Sequence, residues 1–224
     1  MNLTILMPSL NEEESIVRTI ESIPSGRLRD MGLDFEIVVV DGGSCDRTAD
    51  LARSAGAEVI NSGRGYGLQY RTGFDYARGE IIATADSDYS YPMEQIPELI
   101  GILLNEDLDF ISTNRFTFMK KDSMARMNRF GNRVLTFFTN ILFGYGLKDS
   151  QSGMWVFRKS ILEGMKLTGN GMSLSQEIKI QAFQNFRAKE IGSDYRKRVG
   201  KVKLRKFADG FDNLVSLFRL RLNR

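Results

Sequence analysis

The chain has 224 residues, 42% apolar and 26% charged, with a net charge of +3, which is the make-up of one well-cored domain and not of a disordered or fibrous chain. It has no histidine and one cysteine, Cys45, so an imidazole base or ligand and an internal disulfide are excluded, and the single thiol fits a reducing compartment. No apolar run nears the ~20 residues of a membrane span, and Asn11 to Glu14 are polar and acidic where a secretory leader needs an apolar core.

In chain order, apolar residues 3–7 form a first expected strand, stopped by Pro8. Asn11 with Glu14 three residues on reads as a capping pair, opening a helix with Ile16, Ile20 and Ile23 on one face. Residues 35–40 are a β-branched strand ending on Asp41, Asp46 caps a helix over 47–55, and Gly56 closes it. Val59-Ile60 is a third strand, followed by Gly63-Arg64-Gly65-Tyr66-Gly67 and a helix reaching Gly79. Residues 81–85 are a buried strand leading into Asp86-Ser87-Asp88, and Pro92 starts a helix carrying Ile96, Leu99, Ile100 and Leu103.

The second half changes character. After a strand at 110–112, Met124, Met127, Phe130, Val134, Phe137, Phe138 and Ile141 recur at helical spacing, which fits core or a greasy groove. A strand at 154–157, a helix at 174–183 and an edge strand at 188–191 follow. From Arg196 onward ten Lys/Arg face two acids, leaving 21 basic and 26 acidic residues before it. Such a basic tail calls for an anionic partner: a lipid surface, a nucleic acid or a phosphorylated substrate. In the tail, Phe207, Phe211, Leu214, Val215, Phe218 and Leu222 share a helical face flanked by Lys206, Arg219, Arg221 and Arg224, as in a last core helix or a helix lying on anionic lipid.

Alternating strands and helices predict a mainly parallel sheet, whose strand ends share one edge. Pro8 to Glu12, Asp41 to Asp46, the glycine loop and Asp86-Ser87-Asp88 all fall there. Gly42 and Gly43 allow close approach of backbone N–H groups to a ligand, and the loop at Gly65 suits a phosphate at a helix N-terminus. The carboxylates of Asp86 and Asp88 suit a divalent cation that takes its remaining ligands from water and a diphosphate. An isolated D-x-D also fits a solvated acidic turn; four polar sites converging on one crevice favour function. The first strand is followed by neither G-x-G-x-x-G nor a basic glycine loop, which disfavours a dinucleotide oxidoreductase and a sugar-phosphate nucleotidyltransferase.

Pro8-Ser9-Leu10-Asn11-Glu12, Asp41-Gly42-Gly43-Ser44-Cys45-Asp46 and Asp86-Ser87-Asp88 with Pro92 resemble family 2 inverting glycosyltransferases. Thr113-Asn114-Arg115-Phe116, Asn128-Arg129-Phe130-Gly131-Asn132, Asp149-Ser150-Gln151-Ser152-Gly153-Met154 and Phe157-Arg158 are closest to their dolichol-phosphate mannose synthase-like branch. The resemblance runs from about residue 3 to about 204. It implies an α/β, GT-A type Rossmann-like domain over 1–204, with a nucleotide-sugar half at 1–115 and an acceptor half at 116–204, then a basic amphipathic helix at 205–224. It implies a donor site of Pro8, Asn11, Glu12, Asp41, Gly43, Gly65, Asp86 and Ser87, with Mg²⁺ or Mn²⁺ on Asp86 and Asp88. Arg115, Arg129, Ser152, Arg198 and Lys203 would meet an acceptor phosphate, and Asp88, Arg115, Arg129 and Asp149 would carry catalysis.

Two positions depart from the family pattern. Ser90 stands where a glutamine is common, and Gly200-Lys201-Val202-Lys203 replaces Gly-x-Ser-Lys. The expected reaction moves a hexose, mannose or glucose, from GDP-mannose or a UDP-sugar to a polyprenyl or dolichyl phosphate at the cytoplasmic face of a membrane. A phosphate nucleophile is already ionised and needs no general base. A polysaccharide or protein hydroxyl acceptor would need one, from Asp149 or Glu177. Longer relatives carry membrane spans after this domain, so a separate membrane-spanning subunit joins the expected partners. Nucleic-acid binding through the tail is the non-enzyme alternative; it leaves the acidic crevice without a purpose.

Overall fold

Strand β1 (Asn2–Ser9) is buried at every position after Asn2, so it must lie inside a sheet covered on both faces. The computed structural model describes residues 2–120, 122–200 and 206–222. It places β1 in a seven-stranded sheet of order β3-β2-β1-β4-β6-β5-β7. The other strands are β2 (Asp34–Asp41), β3 (Glu58–Asn61), β4 (Ile81–Thr84), β5 (Phe110–Asn114), β6 (Trp155–Arg158) and β7 (Ala188–Gly192). The pairs β1–β2, β1–β4, β2–β3 and β5–β7 are parallel, whereas β6 runs antiparallel to β4 and β5. The mainly parallel sheet expected from the sequence is therefore present, interrupted by one reversed strand.

Helices cover both faces. Leu3, Ile5 and Met7 meet Ile16 and Ile20 of α1 (Ile16–Glu21), Leu28 of α2 (Ser25–Asp30), Ala52 of α3 (Thr48–Ser54) and Leu99 and Leu103 of α5 (Ile96–Asn105). On the opposite face Leu6, Val38, Val40, Trp155 and Phe157 meet Tyr70 and Phe74 of α4 (Tyr66–Tyr76) and Leu174, Ile178 and Ala182 of α7 (Leu174–Asn185). This is the period-two alternation of a strand read out on two layers. A third cluster joins Leu135 of α6 (Arg126–Phe143), Ile180 of α7 and Leu217 of α8 (Lys206–Leu222).

Several local expectations are revised. Asn11 and Glu14 do not cap α1, which starts at Ile16; Asn11 is left-handed (φ 51°) and accepts the Cys45 N–H instead. Helix α2 was not expected, and α4 stops at Tyr76, short of Gly79. The α6 stripe is only partly core. Its inward face is Leu135, Thr136 and Thr139, while Met127, Phe130, Phe137 and Ile141 are 58–67% exposed. The tail helix docks through Leu217 and Asn213, which are buried.

At Gly79 the chain turns into β4 directly against β1. A Cβ there would lie 2.4 Å from the Thr4 backbone nitrogen and 2.7 Å from the Leu3 carbonyl carbon, so it would force two neighbouring strands apart. Gly79→Ala should destabilise the fold by about 3 kcal/mol, read as a lower urea midpoint at unchanged slope.

Candidate active site

Strand order reverses at β1. The chain lays β2 and β3 to one side and β4 to the other, and ligands bind at such switch points beyond the carboxyl ends of the strands. Pro8 to Glu12 leave β1 on one side of this crevice and Asp86 to Asp88 leave β4 on the other.

The acids are held individually. Tyr66 donates its phenol to Asp86 Oδ1 at 3.0 Å. Ser90 donates its backbone N–H (3.0 Å) and its hydroxyl (2.5 Å) to Asp88 Oδ1. Arg198 reaches Asp88 Oδ2 with Nη1 at 3.2 Å and Glu12 with Nη2. Burial first, and then the Asp88 carboxylate, push the Asp86 carboxyl up to about 7 against the pull of Tyr66, Arg198 and Arg115. Excess negative potential of this kind is what a hard cation relieves, and a protein cation already sits against it. Among the described residues no three His, Cys, Asp or Glu side chains group to hold a metal unaided. Asp86 and Asp88 therefore fit an ion that takes its other ligands from a diphosphate and water. Ser90 holds Asp88 through Oδ1, and Oδ2 meets Arg198.

Around the acids, several expected ligand-binding groups are instead occupied by the protein. Ser87 is buried, its hydroxyl donating to the Pro8 carbonyl (2.9 Å) while its own carbonyl accepts from Ser15 and Thr19. It ties β4 to β1. Gly42 N–H bonds the Ser9 carbonyl at 2.9 Å, and Asp41 collects the N–H groups of Gly43 (3.1 Å) and Ser44 (2.9 Å) and the Ser44 hydroxyl. This turn shapes the rim that Asn11 joins through Ser44 and Cys45. Gly65 is glycine because the Asn170 carbonyl lies 2.6 Å from where its Cβ would be. The same carbonyl accepts from Gly67 and Leu68 N–H at 3.0 and 3.1 Å, so these two N–H groups at the start of α4 are taken by the protein.

On the far wall, Arg115 is gripped by Asp149 through Nε (2.6 Å), Nη2 (2.9 Å) and its backbone N–H (3.2 Å). Burial opposes the Asp149 charge, yet the Arg115 guanidinium wins and holds that carboxyl below its usual range. A carboxylate so saturated is an orienting group for Arg115, not the base the sequence suggested. Glu177, the other candidate base, accepts from Thr168 N–H and hydroxyl at 3.0 Å and Gly169 N–H at 2.8 Å. Ser152 is buried between Tyr91 and the Thr113 hydroxyl (2.8 Å), not turned to a ligand. Arg129, in the first turn of α6, has its Nε buried without a hydrogen-bond partner among the described residues. Lys203 lies outside the described residues.

The fold and these residues can be set beside known proteins. Residues 4–165 match the model of "Glycosyl transferase family 2". The chain belongs to glycosyl transferase family 2. It is 36% identical over 93% of its length to the low-salt glycan biosynthesis hexosyltransferase Agl6 of Haloferax volcanii, spanning 51% of that protein. It is 34% identical, over 93% of its own length and 89% of the relative's, to a dolichyl-phosphate hexose transferase of the same organism. An undecaprenyl-phosphate 4-deoxy-4-formamido-L-arabinose transferase of Pseudomonas aeruginosa is 29% identical over 72% of this chain and 48% of that protein. These place it in the branch of family 2 that contains the dolichol-phosphate sugar transferases. The chain thus spans about half of Agl6 and most of the hexose transferase. Glucosyl-3-phosphoglycerate synthase of Mycobacterium tuberculosis, solved with Mn²⁺, UDP and glucosyl-3-phosphoglycerate, superposes with a TM-score of 0.80 at 22% identity, covering 99% of this chain and 80% of that one. The family 2 fold here is accordingly GT-A.

Three side chains escaped the sequence reading. Tyr66 was read only for the glycines around it, and its 20-residue separation from Asp86 leaves no local signal. Tyr195 packs under the Arg115 guanidinium, 5.3 Å from its ring centre. Lys179 is fully buried and donates to the Asp149 carbonyl at 2.9 Å. Burial lowers its pKa to about 7, with repulsion from Arg115 adding to that and the Asp149 and Glu190 carboxylates opposing. Between that value and the ordinary 10.5 the unfolded chain binds a proton the folded chain does not, so this group makes stability rise with pH over that window. Lys179→Met should flatten the rise and stabilise the protein at pH 6 by at least about 1 kcal/mol, measured by urea unfolding at a series of pH values.

Proposed function

We propose that this protein transfers a hexose, mannose or glucose, from a nucleotide sugar to a polyprenyl or dolichyl phosphate at a membrane surface. The reading is carried by the acid pair at the end of β4 and by Arg115, an arginine that Asp149 holds in place. Arg115 stands near enough to Asp86 to draw its carboxyl downward. The relatives' names add the acceptor class: dolichyl phosphate in one and undecaprenyl phosphate in another.

The chemistry follows from which groups are free. Both candidate bases, Asp149 and Glu177, are spent on structure. A hydroxyl acceptor would lack the proton acceptor it needs, whereas a phosphate monoester brings its own anionic oxygen. That oxygen attacks the anomeric carbon from the side opposite the nucleoside diphosphate, the carbon–oxygen bond to the diphosphate breaks, and the configuration inverts. Asp86 and Asp88 would hold Mg²⁺ or Mn²⁺, whose charge offsets that of the departing diphosphate. Pro8, Asn11, Glu12 and Asp41 line the nucleoside side, with GDP-mannose or a UDP-sugar as donor. Arg115 and Arg129 present rigid donor forks to the acceptor phosphate, and the orphaned Arg129 Nε would gain its partner there.

The lipid tail has a matching surface. Phe130, Phe137 and Ile141 of α6 are exposed, as are Phe211, Phe218 and Leu222 of α8, and Phe138 of α6 lies 6.5 Å from Phe218 ring to ring. Arg126, Arg133, Arg219 and Arg221 are exposed on the same two helices. No helix among the described residues is long and apolar enough to cross a membrane; the proposed contact of this surface with lipid has apolar side chains entering the interface and cations attracting anionic lipid.

Asp88→Asn should cut transfer by at least about 100-fold with an unchanged circular-dichroism spectrum, and excess chelator should silence the parent protein. The assay is recovery of radiolabelled sugar in organic-extractable lipid. Label found only in aqueous polymer, or a fully active Asp88→Asn protein, would sink the proposal. Pairing Phe137→Glu with Ile141→Glu should lower co-sedimentation with anionic vesicles by about tenfold or more while leaving the melting temperature within a few degrees, because both positions are exposed.

A further inference from the structure

The loop that carries the acids is gripped by two separate parts of the chain. One is α1 with the residue before it. The hydroxyls of Ser15 and Thr19 donate to the Ser87 carbonyl at 2.9 and 3.1 Å, and the Arg18 guanidinium packs over the Tyr89 ring at 4.0 Å. The other is the segment 195–199. Arg196 N–H bonds the Ser90 carbonyl at 2.8 Å, Val199 N–H bonds the Asp88 carbonyl at 3.1 Å, and the Tyr195 ring lies edge-on to Tyr91 at 5.3 Å. The Arg196 guanidinium packs over the Tyr89 ring at 4.7 Å and pairs with Glu94 at 3.0 Å. Both grips therefore close on the Tyr89 side chain.

Tyr89 is also where the loop most needs holding. Its φ of 64° is left-handed, a region that a residue with a Cβ enters at a cost. That turn of the backbone brings Ser90 back onto Asp88, whose Oδ1 accepts both the Ser90 N–H at 3.0 Å and the Ser90 hydroxyl at 2.5 Å, an Asx turn with Tyr89 at its centre. The aim of the Asp88 carboxylate thus depends on the conformation of Tyr89. Tyr89 is half-buried and Arg18 exposed, so this stack belongs to the surface of the crevice loop and not to the core. We propose, resting on the reading above that Asp86 and Asp88 hold a divalent ion, that Tyr89 is a positioning residue for that ion: its ring, held by Arg18 and Arg196, maintains the left-handed turn that presents Asp88. The arginines act here through the ring, by cation–π attraction, and not through their charge. The two roles differ in sign. A cation beside an acid site weakens the binding of a second cation by charge alone, so removing Arg18 would then tighten metal binding. A cation that holds Tyr89 does the reverse, because an ion meets Asp88 only in the fraction of molecules in which the turn is formed.

The test uses the full chain, with Mn²⁺ binding read by electron paramagnetic resonance in the presence of GDP or UDP and the melting temperature measured alongside. Tyr89→Leu should weaken Mn²⁺ binding at least about fivefold. Tyr89→Phe should stay within about twofold of the parent, since the ring and not the hydroxyl carries the stack. Tyr89→Gly accepts the left-handed backbone without strain, and should lose affinity as Tyr89→Leu does because nothing holds the turn. Arg18→Met, at an exposed position where folding is not at risk, should weaken Mn²⁺ binding about twofold or more. Mn²⁺ affinity unchanged in Tyr89→Leu and Tyr89→Gly, a Tyr89→Phe protein as weak as Tyr89→Leu, or tighter binding in Arg18→Met overturns the positioning role and leaves the metal reading standing. Absence of Mn²⁺ binding to the parent chain with either nucleoside diphosphate overturns both.

Discussion

Uncompensated negative charge at the end of β4 is the constraint around which the crevice is arranged. A strand buried on both faces delivers Asp86 and Asp88 to a fixed edge, one residue apart, with Glu12 arriving from β1. Burial, and then the Asp88 carboxylate beside it, raise the Asp86 pKa, since little water is there to screen the charge. Each neighbour can be read as a response: the Tyr66 phenol on Asp86, two Ser90 donors on Asp88, the Arg198 fork over Asp88 and Glu12. None of these cancels the excess, since the Asp86 carboxyl still stands near 7. The remaining potential is what the proposed divalent cation would relieve.

The opposite wall solves a different problem, holding an arginine still inside the protein. The turn 147–152 is fastened by five elements at once: Asn140 of α6 to Leu147, Glu190 of β7 to the Lys148 and Asp149 N–H groups, Arg115 beyond β5 to Asp149, Lys179 and Gln176 of α7 to Asp149 and Gln151, and Asn213 of α8 to Gln151. A buried ion pair contributes little net stability by itself because desolvation offsets the attraction. Its value here lies in geometry. The tail helix enters the same network through Asn213, so the surface that would meet lipid and the arginine that would meet phosphate share one support.

The sheet and the place of the two acids at its edge were legible in the sequence, because burial on both faces writes itself as unbroken apolar runs, although β1 continues through Pro8 to Ser9, past the stop expected there. Polar and small residues beside the crevice also have internal roles that the sequence does not display. Ser87, Ser152, Gly65 and Asp149 are polar or small for internal reasons: a buried hydroxyl or carboxylate needs a partner, and Gly65 makes way for the Asn170 carbonyl. A motif lists which residues surround a site but not which way each side chain turns. Tyr66, Lys179 and Tyr195 were missed for the converse reason, since their partners lie far away in sequence. The α6 stripe is a third kind of failure. Helical periodicity reports an apolar face, and the same face can meet a core or a bilayer.

The absence of histidine and the loss of both candidate bases to the scaffold belong to one argument. With Asp149 committed to an arginine and Glu177 to the loop at 168–169, the proposed acceptor is one that needs neither as a base. A phosphate monoester is already ionised at neutral pH. The task left to the protein is to collect the anion beside the donor, for which fixed guanidinium groups are better suited than titrating ones. An acceptor carrying a long apolar chain would otherwise be lost to the bilayer, and the exposed aromatic face of α6 and α8 sits on the helix that also bears Arg129. The proposed lipid surface and the proposed phosphate contact would thus share one helix, and a change that tilts α6 would disturb both together.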